Sequence, residues 1–415
     1  MFAWDPEVVH RALEEGGKDD LVIHLCGQGI DSGLLSRAEL ACANTDRGRA
    51  YINKGEFDRA VADLQAALRQ DPGWEPAHYY LGIARYNREE YDLAIASFNE
   101  SIARDPKDAS TYNLRGSVHN DKGEYALGVA DCARAIELDP KMANAYGNRA
   151  FARNRLGEYD AAILDDTRAI DLDPANSVFF HNRGLARRNK CEYDLAIADF
   201  TQAIHLDPTM SAAFNMRGLA YSDSGDYDRG VADCTRAIQL KPTSATAYCN
   251  RGYAHWKRGE HKLAASDQTK AIELAPALKD AYHYRGLAYL DSNELDLAIA
   301  DFSKAIELKP TGATDYINRG LALRKRGDLD KAVADYTAAI EREESALAYR
   351  NRGIAWAYKG ADDRAIDDFD KALQLDPEDP QTYKERGDSL ARKGDHARAE
   401  ADYAKSRDLG DGQRK

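Results

Sequence analysis

Glycine returns at a fixed interval in this chain. Gly48, Gly82 and Gly116 are followed by Ala150 in the same place, then by Gly184, Gly218, Gly252, Gly286 and Gly320, every step being 34 residues. One step of 33 leads to Gly353, and another of 34 to Gly387. A period of about 20–50 residues means an array of one supersecondary motif, each copy burying its apolar face against the next. That fact overrides the two or three globular domains that 415 residues would otherwise suggest.

Each copy carries the same internal marks. A small residue stands twelve positions after the glycine, as at Ala60, Ala162, Ala196, Gly230 and Ala399, and another often follows seven later, as at Ala67, Ala135 and Ala203. Proline closes many copies, from Pro72 and Pro106 to Pro310 and Pro377. Stretches such as SVFFHNRGLARRNK and YDLAIADFTQAIHL have helical periodicity. The position between them holds Gly55, Gly123, Gly157, Gly225, Gly259, Gly327, Gly360 and Gly394, where a left-handed residue ends the first helix. Asn293 tolerates that conformation, and Glu89 and Cys191 fit it less well. The closing LDP stops the second helix, because a residue before proline is pushed out of the α region. Neither helix is long enough to be stable alone, so stability must come from stacking.

These marks together resemble the tetratricopeptide repeat. The resemblance covers eleven copies, from Ala41 to about Gly412. It implies an all-α fold: a right-handed α-solenoid superhelix of about 11 helix-turn-helix copies. Residues 3–36 look like a further, degenerate copy with PEVVHRALEEGG as first helix and DLVIHLCGQGI as second, suited to capping the array. The expected segments are a cap over 1–40, copies one to nine over 41–345, and copies ten and eleven over 346–413. The last two are set apart because AIEREESALAYRNRG lacks one residue and the proline, which predicts a change of twist between Glu341 and Ala346. The polar SRDLGDGQRK end is expected to fray.

Asn182, Arg183 and Gly184 are consecutive on a helix, about 100° apart, so each needs its own explanation. A glycine inside a helix costs about 1 kcal/mol relative to alanine, and its recurrence predicts close approach of the two helices. Arg183 is followed sixteen residues on by Asp199, and the pairing recurs from Arg47/Asp63 to Arg386/Asp402. The copy that has Leu81 instead of arginine has Ser97 instead of aspartate. Both positions change together, which predicts contact: a ladder of salt bridges inside the copies. That pairing argues against a row of free cations for phosphate.

The Asn182 position is Asn148, Asn250, Asn318 and Asn351 in other copies, and Asp46, Tyr80, Leu114, Met216, Tyr284 or Glu385 in the rest. By the family resemblance it faces the concave groove, and an asparagine ladder there resembles the peptide-holding ladder of the glycosyltransferase that adds N-acetylglucosamine to proteins. A carboxamide can donate to and accept from any peptide backbone; the plainer alternative is bonding to neighbouring helices or water. The same helical face adds Tyr79, Tyr86, Phe151, His181, Arg188, Tyr253, Trp256, His283, Tyr284 and Arg324, a mixture suited to recognition. Leu185, Leu219, Leu287 and Leu321 on it are equally suited to packing between copies. The lysine, asparagine and arginine set with which heat-shock co-chaperones clamp an acidic tail is absent from every run of three copies. In the second helices, Cys132 and Cys234 replace a core aromatic as small fillers, and Asp166 and Gln268 at that place should find polar partners or looser packing.

A net charge of −13 argues against nucleic-acid binding as the main activity. No apolar run of about 18 residues predicts a membrane span, and MFAWDPEVVH does not read as a signal peptide. Six scattered cysteines without a CxxC pair read as free thiols, which points to the cytoplasm. The histidines show no HExxH or other metal spacing, and no phosphate-cradling or nucleophile-elbow motif occurs. With nearly every residue inside a repeat, no catalytic site, cofactor or metal is expected. The expected role is a scaffold for a peptide or protein partner; self-association is the alternative, and single-stranded RNA is less favoured.

Overall fold

The structure, a computed structural model, describes residues 5–412, and the described residues form 24 α-helices and no strand. The first four and last three residues, and with them the start of the expected 1–40 cap and the end of copy eleven at 413, lie outside the described residues. The chain divides into two compact blocks, Met1–Pro208 and Thr209–Lys415. The first holds the cap and five repeats, the second six repeats. Within each block every helix packs on the one before and the one after it, which is the architecture of an α-solenoid.

The cap consists of α1 (Pro6–Glu15) and α2 (Asp19–Ser32), and the first repeat of α3 (Arg37–Asn53) and α4 (Phe57–Gln70). Asp5 caps α1 and Pro6 opens it, the residue types a helix start favours. Ser36 and Glu39 form a reciprocal capping box that starts α3 inside the segment expected to belong to the cap. Val9, Ala12, Leu13, Val22 and Cys26 bury against Ala43 and Ala50 of α3, so the degenerate copy covers the first repeat. At the other end the final helix runs from His396 to Gly412, where fraying was expected.

The recurring glycine marks contact between the two helices of a repeat. A methyl carbon on Gly184 would lie 2.8 Å from the Phe200 ring, and on Gly252 2.6 Å from the Gln268 amide. No ordinary Cβ contact is that short, so the residue sixteen positions on fills the space that the glycine leaves. Every turn glycine named above has positive φ, and so do Glu89 at 60°, Cys191 at 61° and Asn293 at 59°.

The arginine–aspartate ladder is present in all ten repeats that have both residues. In nine of them Nε and Nη2 meet the two carboxylate oxygens in a parallel fork, as for Arg47/Asp63, Arg149/Asp165 and Arg319/Asp335. Arg183 reaches Asp199 with the same two nitrogens, at 2.7 Å from Nη2. These carboxylates are buried, Asp199 being 3% exposed, and the fork is the geometry that repays taking both charges out of water. Two further contacts were not foreseen. In nine of the ten repeats the guanidinium stands over the aromatic ring three residues earlier, as Arg251 over Tyr248 at 5.6 Å. Its free Nη1 donates to the preceding repeat: Arg115 to Asn99, Arg183 to Thr167, Arg251 to Thr235, Arg285 to Thr269, Arg319 to Ser303, Arg352 to Thr337 and Arg386 to Asp370. One side chain thus ties a repeat internally and to its neighbour.

The short copy keeps these ties. The link Glu343–Ser345 absorbs the missing residue, Ser345 caps the next helix, and Arg352 reaches Thr337 fifteen residues back where its counterparts reach sixteen.

Asp166 overturns the expectation of a polar partner, and Gln268 meets it in part. Both are fully enclosed, at 1% and 0% exposure. Gln268 donates from Nε2 to the Cys249 carbonyl at 2.9 Å, but its Oε1 and both Asp166 oxygens have no partner among the described residues. Burial raises the Asp166 carboxyl well above the usual carboxylate range, and the neighbouring Asp165 charge adds to it. Ala150, the one break in the glycine series, stands sixteen residues before this aspartate. Cys132 and Cys234 at the equivalent place are buried fillers, and burial pushes the Cys132 thiol up to about 12.

Candidate peptide-binding face

The residues proposed for recognition lie on the first helices of the repeats, and each block presents its own set. In the second block three rings come together. Tyr253 and Tyr284, on successive first helices, stand 4.9 Å apart, and Trp256, one turn beyond Tyr253, lies 6.3 Å from both. All three are half-buried. Trp256 donates from Nε1 to Asp291 at 2.7 Å, and Lys257 holds its ammonium 4.8 Å over the indole. Burial raises the Tyr284 phenol, so it stays a neutral donor.

His283, beside this cluster, is turned to a different task. Its Nδ1 lies 2.5 Å from Asp315 on the next repeat, and Lys279 meets the other oxygen of that buried carboxylate at 2.8 Å. Arg324 stands over Tyr358 at 5.8 Å, one repeat further on.

In the first block the aromatics are more dispersed. Tyr79 packs edge-on against Tyr80 and Phe98, and burial raises its phenol to about 12. Tyr86 donates to Asp121 at 2.5 Å, and Phe151, 37% exposed, lies against Tyr125. His181 packs on Phe200 with its Nδ1 buried and unpartnered, and burial lowers its pKa to about 4, which keeps it neutral. Arg188 is half-buried on the same helix.

The asparagines divide into three kinds. Asn148 donates to Asn113 and Ser117 of the preceding repeat at 2.9 and 2.8 Å, and Asn250 donates to Asn215 at 2.9 Å. Asn351 is only 8% exposed. Asn182 and Asn318 remain half-buried with no hydrogen-bond partner among the described residues. Leu287 and Leu321 pack against the core around Phe302, the plainer of their two roles.

The sequence held a signal that was missed. The acceptors Asp121 and Asp291 stand 35 residues after Tyr86 and Trp256, and the Asn148 and Asn250 acceptors Asn113 and Asn215 stand 35 residues before. That offset carries a residue on one first helix to its neighbour on the next. His255 has its Nδ1 2.6 Å from Glu260 across the turn. No helix among the described residues is long and apolar enough to cross a membrane.

Comparison with known proteins agrees with this architecture. One family model described as tetratricopeptide repeat matches residues 45–109, 113–177, 317–380 and 363–413. Others of the same description match 280–311 and 245–278, and a TPR repeat model matches 218–259. A search of the curated proteins returned no match. Among solved structures, the APC/C hetero-tetramer Cut9-Hcn1 matches with a TM-score of 0.55 at 15% identity, over 92% of this chain and 95% of that one. A monomeric IFIT1 mutant with Gppp-AAAA matches at 0.54 and 14%, over 94% of each. A tetratricopeptide repeat protein from Parabacteroides merdae matches at 0.51 and 18%, over 60% of this chain and 99% of that one. At these identities the likeness is one of fold. With a family model on more than half of its length, and the glycine, arginine and turn positions of each copy accounted for, this chain belongs to the tetratricopeptide repeat family.

Proposed function

We propose that the chain is a non-catalytic scaffold that holds an extended peptide or a partner protein on the first-helix face of its repeats. The observation that carries this reading is the Tyr253–Trp256–Tyr284 cluster. Three large rings held side by side at half exposure are the residue types and the setting of an interface hot spot. Their polar edges are already oriented, as by the Trp256 bond to Asp291, so little order remains to be imposed on binding. Asn182 and Asn318, with carboxamides unengaged by the fold, supply sequence-independent contacts to a peptide backbone. RNA is the weaker reading: the charge is −13, the ladder arginines are already neutralised, and the likeness to IFIT1 is one of fold.

The test is selection of peptides from a random displayed library on the full chain, followed by anisotropy titration of the selected sequences. Trp256→Ala and Tyr284→Ala should each weaken binding by roughly 30-fold, the size of a hot-spot residue, with helical content unchanged. Equal affinity in both variants would sink the reading. Light scattering on the same samples separates it from self-association, which would appear as a concentration-dependent mass.

A further inference from the structure

His10, Cys42 and Asp46 meet at the junction of α1 and α3, and the fold gives no structural reason for that chemistry. Cys42 and Asp46 are one turn apart on α3 and so share a face. His10 comes from α1, 32 residues earlier. Cys42 Sγ lies 3.9 Å from His10 Nε2 and 3.5 Å from Asp46 Oδ2, and His10 Nε2 lies 3.4 Å from the same oxygen. All three candidate ligand atoms fall within 4.8 Å of one another.

These distances can be set against what a metal requires. Zinc binds thiolate at about 2.3 Å, imidazole nitrogen at about 2.0–2.1 Å and carboxylate oxygen at about 2.0–2.2 Å. At a tetrahedral angle those radii place sulfur roughly 3.6 Å from nitrogen and from oxygen, and nitrogen roughly 3.4 Å from oxygen. The observed separations differ from these by at most about 0.3 Å, so the atoms need almost no movement to surround one ion. Asp46 is buried, with a neutral thiol and a histidine as its hydrogen-bond partners, where a cation would be favoured. It also departs from its own repeat position, which is asparagine, tyrosine, leucine, methionine or glutamate elsewhere.

We propose that His10, Cys42 and Asp46 bind one divalent transition-metal ion of the zinc class. A mixed sulfur, nitrogen and oxygen set selects such ions over magnesium or calcium. The His10 side chain is 55% exposed, so the fourth position opens to solvent and takes a water. Binding replaces the thiol proton: Cys42 S–H loses H⁺ to solvent and its sulfur pair forms the metal–thiolate bond, while neutral His10 donates its Nε2 lone pair. The ion would join α1 of the cap to α3, a contact otherwise made by Val9, Ala12 and Leu13. The proposal does not rest on the peptide-binding reading, although Asp46 holds in its repeat the position that Asn182 holds in its own.

The test is titration of the reduced full chain with Co²⁺. One equivalent should give a thiolate-to-cobalt charge-transfer band and the intense visible bands of a four-coordinate site, and Zn²⁺ should displace it. Cys42→Ser should remove the charge-transfer band, whereas Cys191→Ser, at an exposed thiol, should leave it. His10→Ala, at an exposed position on α1, should weaken binding by at least roughly 100-fold. Absence of the band at stoichiometric protein, its survival in Cys42→Ser, or parental affinity in His10→Ala would each overturn the proposal. Should Cys42→Ser fail to fold, the His10→Ala titration decides alone.

Discussion

Arg85 donates from Nη1 to the Ser97 hydroxyl at 2.8 Å, and in doing so replaces the salt bridge that its repeat lacks. Leu81 and Ser97 stand where the other ten repeats have arginine and aspartate, and both are buried. The cation arrives from one turn later on the helix, from the position at which Arg153 and Arg187 add a second arginine to Asp165 and Asp199. The chain therefore contains two solutions to one packing problem.

Exchanging those solutions is the first expected outcome. Arg183→Leu alone should cost about 3 kcal/mol, because Asp199 would remain buried with less than its full compensation. Adding Asp199→Ser should restore much of that loss, since Arg187 can serve the introduced hydroxyl as Arg85 serves Ser97. Urea unfolding of the two single variants and the double variant measures the coupling; additive losses would disprove it.

Asp166 should make stability depend on pH in an unusual direction. Its folded pKa is raised, so the native state keeps a proton that the unfolded state releases above about pH 3.9. Its contribution is fully present below that value and is lost as pH rises through the folded pKa. Asp166→Cys, which copies Cys132 and Cys234, should therefore stabilise the chain at neutral pH by roughly 2 kcal/mol or more. The gain should shrink as the pH falls towards about 4. A gain independent of pH would show that another group is responsible.

Glu89 and Cys191 occupy left-handed backbone without being glycine. Such a residue costs about 1 kcal/mol, so Glu89→Gly and Cys191→Gly should each raise the melting temperature, and Gly123→Ala should lower it. A loss of stability in either glycine variant would refute the strain.

The asparagines should separate by experiment as they do by geometry. Asn148→Ala and Asn250→Ala should each cost about 1 kcal/mol through broken contacts between repeats. Asn182→Ala and Asn318→Ala should leave stability within about 0.5 kcal/mol and lower the affinity for the selected peptide. Thermal melts and anisotropy on the same four proteins read both quantities.

The period made the fold legible, because a repeated array shows the same physical requirement many times. One glycine inside a helix is ambiguous; ten at a nearly constant spacing, each sixteen residues before the core side chain that fills its space, are not. The paired loss at Leu81 and Ser97 exposed the salt bridge for the same reason. Features that occur once escaped. Nothing in the spacing of His10 and Cys42 announces that they meet, because the cap departs from the register that relates every other copy. The asparagines were read as one class, whereas the neighbours at Asn113, Ser117 and Asn215 decide which of them are engaged.

The arginine that reaches both its own aspartate and the repeat before it has a consequence for how such a chain can change length. Its acceptors lie at fixed offsets, sixteen residues ahead and sixteen behind, so duplicating or deleting a whole 34-residue copy leaves these donors with an acceptor of the same kind. An insertion within a helix would turn the fork away from both. The one length change among the eleven copies falls in the Glu343–Ser345 link, where the offset shortens to fifteen and the bond to Thr337 survives. Growth by whole copies, with errors tolerated only in the links, follows from the reach of one side chain.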